Sequence, residues 1–284
     1  MAGFFGLFNY EKEGPGISKN APKKKTFIVF FETFFRNFWK FITINIVYCI
    51  LSLPLITSGL AAVGITNVTR NTARDKHSFG LSDFFETIKK NWKQALIVGI
   101  INNFVSILLV FDVYFFYTFV KEGLAQTVGL GMVFAIILIF SIMKYYIWTL
   151  LITFNFSIKQ IYMNSFRFVF INFLKNLGGF LLITLIYAGL IALPFLLASI
   201  GVNQIIFICL FLEFALLTMV LPGFKYLLIQ YIVFPPIKKY IIEPYYLEHP
   251  EEDIEKRRDL GLEIPEDEDE NSDEDGDEEL VFND

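Results

Sequence analysis

Two carboxylates, Asp112 and Glu213, lie inside long apolar stretches of this chain. A charged group at the centre of a bilayer costs about 2.5–3.5 kcal/mol on insertion scales, so such residues are retained where they do work or find a partner. Counted from the ends of their helices furthest from the basic flanking segments, the two sit at similar depths, roughly 12–14 Å at 1.5 Å per residue. At equal depth they would face one cavity and share a proton or a cation, the chemistry of a small permease. The competing reading is structural: each carboxyl is protonated or hydrogen-bonded to a neighbouring helix, through Asn102, Asn103 or a tyrosine. Both readings stand at this level.

Other chemistry is sparse. The chain has no P-loop, no GxSxG, no HExxH and no glycine-rich dinucleotide loop. Cys49 and Cys209 sit in apolar runs and read as packed thiols. His77 and His249 stand in unlike surroundings, and no Cys/His cluster has metal-ligand spacing. The expectation is a protein that is not an enzyme, with no cofactor, no metal and no nucleic-acid partner.

The elements that must position Asp112 and Glu213 are membrane helices. An apolar fraction of 55% in 284 residues is more than one aqueous core hides. Four stretches, roughly 94–120, 127–153, 177–200 and 204–225, reach the ~20 residues that cross a 30 Å hydrocarbon layer. Three times, an aromatic and basic segment ending in Asn and Lys runs into an apolar stretch: Phe30 to Lys40, Phe84 to Lys93, and Phe166 to Lys175. Each reads as an interfacial helix feeding a span. Trp39, Trp92 and Trp148 form an aromatic belt at that boundary. Trp39, Lys40, Lys89, Lys90, Trp92, Lys93 and Lys175 are the candidate membrane-surface contacts, with anionic lipid as their partner and a cytoplasmic protein as the rival. Lys144, near the inner end of its span, is expected to snorkel to the interface.

The region 41–65 is long enough for one span but is broken by Pro54 and Gly59. Charge favours a hairpin there. Residues 65–93 hold six Lys/Arg, and one straight crossing would put them on the side opposite the other basic segments. Pro54 and Gly59 are the candidate helix-reversal residues of an outer turn. The return arm, polar with Thr66, Asn67 and Thr69, should face protein, and Ser58, Gly59, Ala61, Ala62 and Gly64 permit close helix contact. One conventional span, five in total, is the alternative. The hairpin makes the fold all-α, a polytopic transmembrane bundle of three helix-hairpin units, each preceded by a cytoplasmic interfacial helix. The units are a basic lead-in at 1–26, a membrane domain at 27–235, and a linker with an acidic tail at 236–284. Pro235, Pro236 and Pro244 mark the exit from the membrane. The opening residues lack a basic n-region and do not read as a signal peptide.

The net charge of −5 averages two unlike parts. Residues 1–250 carry 21 Lys/Arg against 11 Asp/Glu, and residues 251–284 carry 3 against 18. The body is basic, and the tail is disordered by composition.

The run Ser52 to Ala62, followed by Arg70, Arg74 and Phe84 to Trp92, resembles the YesL family of bacterial membrane proteins of unknown function, as do Phe4 to Tyr10 and Gly14-Pro15-Gly16. Ser58 departs from the bulkier residue expected before the glycine. The resemblance spans roughly residues 4–100 and weakens to hydropathy beyond. It implies a plasma-membrane location, both termini cytoplasmic in the charge reading, and association with carbohydrate-uptake systems and their sensors. It supplies no catalytic residues. The implied role is a non-enzymatic accessory or assembly partner of a carbohydrate-transport or envelope system, with a permease acting at Asp112/Glu213 as the alternative. The sequence leaves the oligomeric state open.

Overall fold

The computed structural model describes residues 26–76, 78–199 and 206–248. The basic lead-in up to residue 25, His77, residues 200–205, His249 and the acidic tail lie outside them.

Ten α-helices make up the described chain: α1 Thr26–Arg36, α2 Phe38–Ser52, α3 Ser58–Ala73, α4 Leu81–Thr118, α5 Leu124–Thr153, α6 Ile158–Ile171, α7 Phe173–Ser199, α8 Ile206–Ala215, α9 Leu221–Ile237 and α10 Glu243–Glu248. Single π-helical turns, Leu216–Val220 and Lys238–Ile242, join α8 to α9 and α9 to α10. The protein is an all-α polytopic bundle with four helices long and apolar enough to cross a membrane. Helical hairpins are the natural solution in lipid, because each helix satisfies its own backbone polar groups.

The three units are visible. Helix α1 leads into the α2–α3 hairpin, α4 pairs with α5, and α6 leads into α7 and the α8–α9 return. The three Asn–Lys segments differ in one respect. The helix breaks at Asn37 and at Asn172, both with non-helical backbone. At Asn91 it runs on, so the second interfacial segment is the first part of the 38-residue α4. Asn37 and Asn91 both donate from Nδ2 to the carbonyl four residues back, Thr33 and Thr87, at 3.0 Å.

Helix α3 is the centre of the bundle, with eleven of its sixteen residues buried. It packs against α2, α4, α5 and α9. A helix this polar can be buried because its hydroxyls bond within it: Thr66, Thr69 and Thr72 donate to the carbonyls of Ala62, Ile65 and Val68 at 2.6, 2.8 and 2.8 Å. Trp148 belongs to this core at 8% exposure, not to an aromatic belt. Its ring is drawn inward by packing on α3 and α4.

The α2–α3 hairpin is shorter than the membrane. Fifteen residues make α2 about 22 Å long, against a 30 Å hydrocarbon layer. Its turn meets α4 at Asn103, whose Nδ2 donates to the Leu55 carbonyl at 2.6 Å and to Ser58 Oγ at 2.8 Å. Helix α4 continues from there to Thr118, about 22 Å further. The turn therefore stops about 22 Å short of the far end of α4. Its carbonyls are satisfied: Thr57 Oγ1 donates to Leu51 at 2.6 Å, and Ser58 Oγ donates to Leu55 at 2.7 Å. Leu53, Leu55 and Ile56 are exposed and apolar, suited to lipid. A nitroxide placed at Leu55 in liposomes is expected to relax more with oxygen than with a water-soluble nickel chelate. Preferential nickel relaxation would mean that the turn reaches the outer surface.

The two prolines read as marking the exit from the membrane do not end the helix. Pro235 and Pro236 stay inside α9, which continues through the π turn to Glu248. Pro236 has no N–H for the Ile232 carbonyl one turn back. Asn172 Nδ2 supplies that bond from the α6–α7 break, at 3.2 Å. The same device operates at Pro222, where the carbonyl one turn back is Thr218. Cys49 Sγ of α2 donates to it at 3.4 Å, and Asn45 Nδ2 donates to Met219 at 2.7 Å.

Candidate functional site

Where α3 ends, its last turn meets the α5–α6 link and the α9–α10 segment around a cavity of about 1120 Å³. Two arginines one helical turn apart, Arg70 and Arg74, line it, with Phe154, Phe156, Phe234 and Tyr246 among its aromatic walls. The spacing of four puts both guanidiniums on one face of α3. The end of the bundle fixes them from other elements. Arg70 Nη1 donates to Thr153 Oγ1 at 2.8 Å and to the Ile152 carbonyl at 3.3 Å, and its Nη2 donates to Asn67 Oδ1 at 2.8 Å. Arg74 lies over the Phe234 ring, 3.8 Å from its centroid.

What the pair lacks among the described residues is a counter-charge. Among the described residues no carboxylate forms an ion pair with either arginine. Asp75, which also lines the cavity, is paired with Arg36 across the α1–α3 approach. Three buried guanidinium nitrogens, Arg70 Nε and Arg74 Nε and Nη2, have no acceptor. Burial, and secondarily the charge of Arg70, pushes Arg74 down from its usual value to about 10, still charged at neutral pH. Two fixed cations with open donors, walled by aromatic rings, make an anion-holding geometry. Arg70 also lines a smaller adjoining recess of about 370 Å³ with Asp83, Glu86 and Lys90.

The residues singled out in the sequence fall elsewhere. Asp112 is half-buried on α4, which packs mainly on α3 and α5. Glu213 is half-buried on α8, which packs on α7 and the following π turn, and its Oε2 is buried without a partner. No hydrogen bond or ion pair joins the two among the described residues. Trp39, Lys89, Lys90, Trp92, Lys93 and Lys175 are exposed, with the Lys93 ammonium 5.6 Å from the Trp92 ring centroid. Lys40 is half-buried and donates to Thr72 Oγ1 at 3.4 Å. Lys144 does not snorkel; its Nζ donates to Ser106 Oγ at 3.0 Å across to α4. Pro54 lies in the reversal, but Gly59 is already in the first turn of α3, and its role is contact with α4.

Sequence reading used Arg70 and Arg74 as charges that orient the chain and as part of the YesL resemblance, not as a site. The available signal was their spacing of four on an arm of small and uncharged polar residues, which must be buried. Nothing in the sequence pointed to Thr153 or Phe234 as their neighbours.

Residues 41–113 match the model of a family described as "Protein of unknown function, DUF624". The match spans most of α2, all of α3 with both arginines, and most of α4. No curated protein and no solved structure matches the chain.

Proposed function

We propose that this is a non-enzymatic multi-pass protein of the bacterial plasma membrane, with both termini cytoplasmic, acting as an accessory or assembly partner of a carbohydrate-transport or envelope system. The positive-inside balance assigns the basic end, with the arginine cavity, to the cytoplasm. The observation that carries the reading is the use made of polar side chains within the bundle. Asn45, Cys49, Thr57, Asn103 and Asn172 donate to backbone carbonyls at turns and helix breaks, so they hold the scaffold together instead of lining a passage. The YesL resemblance and the four long apolar helices support a membrane location, and the family match adds no activity. Exposed Trp39, Lys89, Lys90, Trp92, Lys93 and Lys175 at the basic end form the contact surface for anionic lipid and for a transporter or sensor partner. The acidic tail, outside the described residues, is a second contact.

Glu213, with its buried unpartnered oxygen, favours the rival reading of a permease with a polar site at Asp112/Glu213. Affinity purification in mild detergent separates the two. The accessory reading expects stoichiometric recovery of transporter subunits. Substrate or ion flux in liposomes holding this chain alone, lost in Asp112→Asn or Glu213→Gln, would establish the permease instead.

A further inference from the structure

We propose that the cavity lined by Arg70 and Arg74 binds a phosphomonoester, the phosphate seated on the two guanidiniums and the body of the ligand lying against Phe154, Phe156 and Phe234. The inference does not depend on the accessory role, since a permease or a scaffold would carry the site equally.

Three observations carry it. Buried charges are ordinarily paired, because an uncompensated ion in a low-dielectric site is costly. Here two like charges stand one helical turn apart with no carboxylate among the described residues paired to either, and Asp75, the acid among the cavity's lining residues, is engaged by Arg36. Second, three guanidinium nitrogens of residues that line the cavity, Arg70 Nε and Arg74 Nε and Nη2, are buried without an acceptor, more donors than a single carboxylate oxygen pair absorbs. A phosphomonoester brings three terminal oxygens and close to two negative charges at neutral pH, matching both the donor number and the charge of the pair. Third, the guanidiniums are fixed beforehand: Arg70 by Thr153, Ile152 and Asn67, Arg74 by the Phe234 ring. Binding therefore loses little side-chain freedom. The volume of about 1120 Å³ leaves room beyond a phosphate for a body of metabolite size, and the aromatic walls favour one with an apolar face. At the end of a membrane bundle the same chemistry arrives from two sources, the headgroup of phosphatidate in the bilayer or a soluble phosphate ester.

The test uses the full chain in nanodiscs of phosphatidylcholine alone and in nanodiscs containing phosphatidate. Radiolabelled inorganic phosphate is the probe in the first, and native mass spectrometry of retained lipid is the readout in the second. Saturable phosphate binding in phosphatidylcholine discs marks the soluble source. Retained phosphatidate marks the lipid source. In either case Arg74→Gln is expected to weaken binding about tenfold or more, as loss of hydrogen bonds from a charged group does. Arg74→Lys should restore part of it, and the Arg74→Gln protein should melt close to the parent. Should Arg74→Gln fail to fold, Arg70→Lys and Arg74→Lys keep the charge and report on fork geometry alone. Binding equal in the parent and in the folded arginine variants, or no phosphate and no phosphatidate bound by the parent, overturns the proposal.

Discussion

Substituting leucine at Gly59 is expected to cost the bundle about 3 kcal/mol, the upper end of overpacking effects, and to remove most monodisperse protein from detergent extracts. The crossing of α3 over α4 is a backbone-to-backbone contact. A Cβ at Gly59 would meet the Ala95 carbonyl oxygen at 2.2 Å and Gly99 Cα at 2.8 Å. Neither is the end of a flexible side chain, so relief requires the helices to separate. Separation is costly because α3 is the common neighbour of α2, α4, α5 and α9. It would also pull Ser58 and Leu55 from Asn103 and leave carbonyls of the turn unsatisfied in lipid. Thermal unfolding followed by tryptophan fluorescence and by size-exclusion profile measures the effect. Alanine at Gly178 or Gly189, where nothing lies within 4 Å, is the control and should leave the melting temperature near that of the parent. A Gly59→Leu protein as stable as these controls would show that α3 and α4 do not cross so closely.

The second large effect is expected at Asn176. This side chain is fully buried between α6 and α7. Its Nδ2 donates at 3.0 and 3.1 Å to the carbonyls of Phe168, which also accepts the Asn172 N–H, and of Val169, next to the break at Asn172, and its Oδ1 accepts from Tyr146 of α5 at 2.8 Å. Leucine fits the volume but removes all three bonds, leaving the Tyr146 phenol without this acceptor, the Val169 carbonyl without a donor and the Phe168 carbonyl with the long Asn172 bond alone. A cost of about 2 kcal/mol follows, above the ~0.6 kcal/mol average of single interhelical bonds in membranes, because several groups lose bonds together. Tyr146→Phe removes only one bond and leaves the carbonyls capped, so it should cost about 0.6 kcal/mol. Equal destabilisation by the two substitutions would mean that the carbonyl caps contribute nothing.

These predictions also mark what was legible beforehand. The small-residue arm around Gly59 was readable as a contact surface, because helices that approach closely in lipid need short side chains on the shared face. Its partners were not, since Ala95 and Gly99 stand in α4 among residues of ordinary apolar character. Asn176 gave no sequence signal beyond being a polar residue at the start of a span. Trp92 and Lys93, singled out from type and order, are exposed, whereas Trp148, equally aromatic, is in the core. An aromatic side chain suits both environments, and only the neighbours of its helix choose between them.

The sequence by itself determined that the chain is a helical membrane bundle. Apolar runs of this length leave the backbone no partner but itself, and the break at Pro54 with the basic residues after it favours a return. Tertiary structure decided where along α4 that return stops and what the arginines do. The stopping point follows from Asn103 catching the turn partway along α4. The arginine cavity follows from Thr153 and Phe234, brought from α5 and α9 to the end of α3, with no acid among the described residues arriving to neutralise the pair. Both are contacts between residues far apart in the chain, which local pattern does not encode.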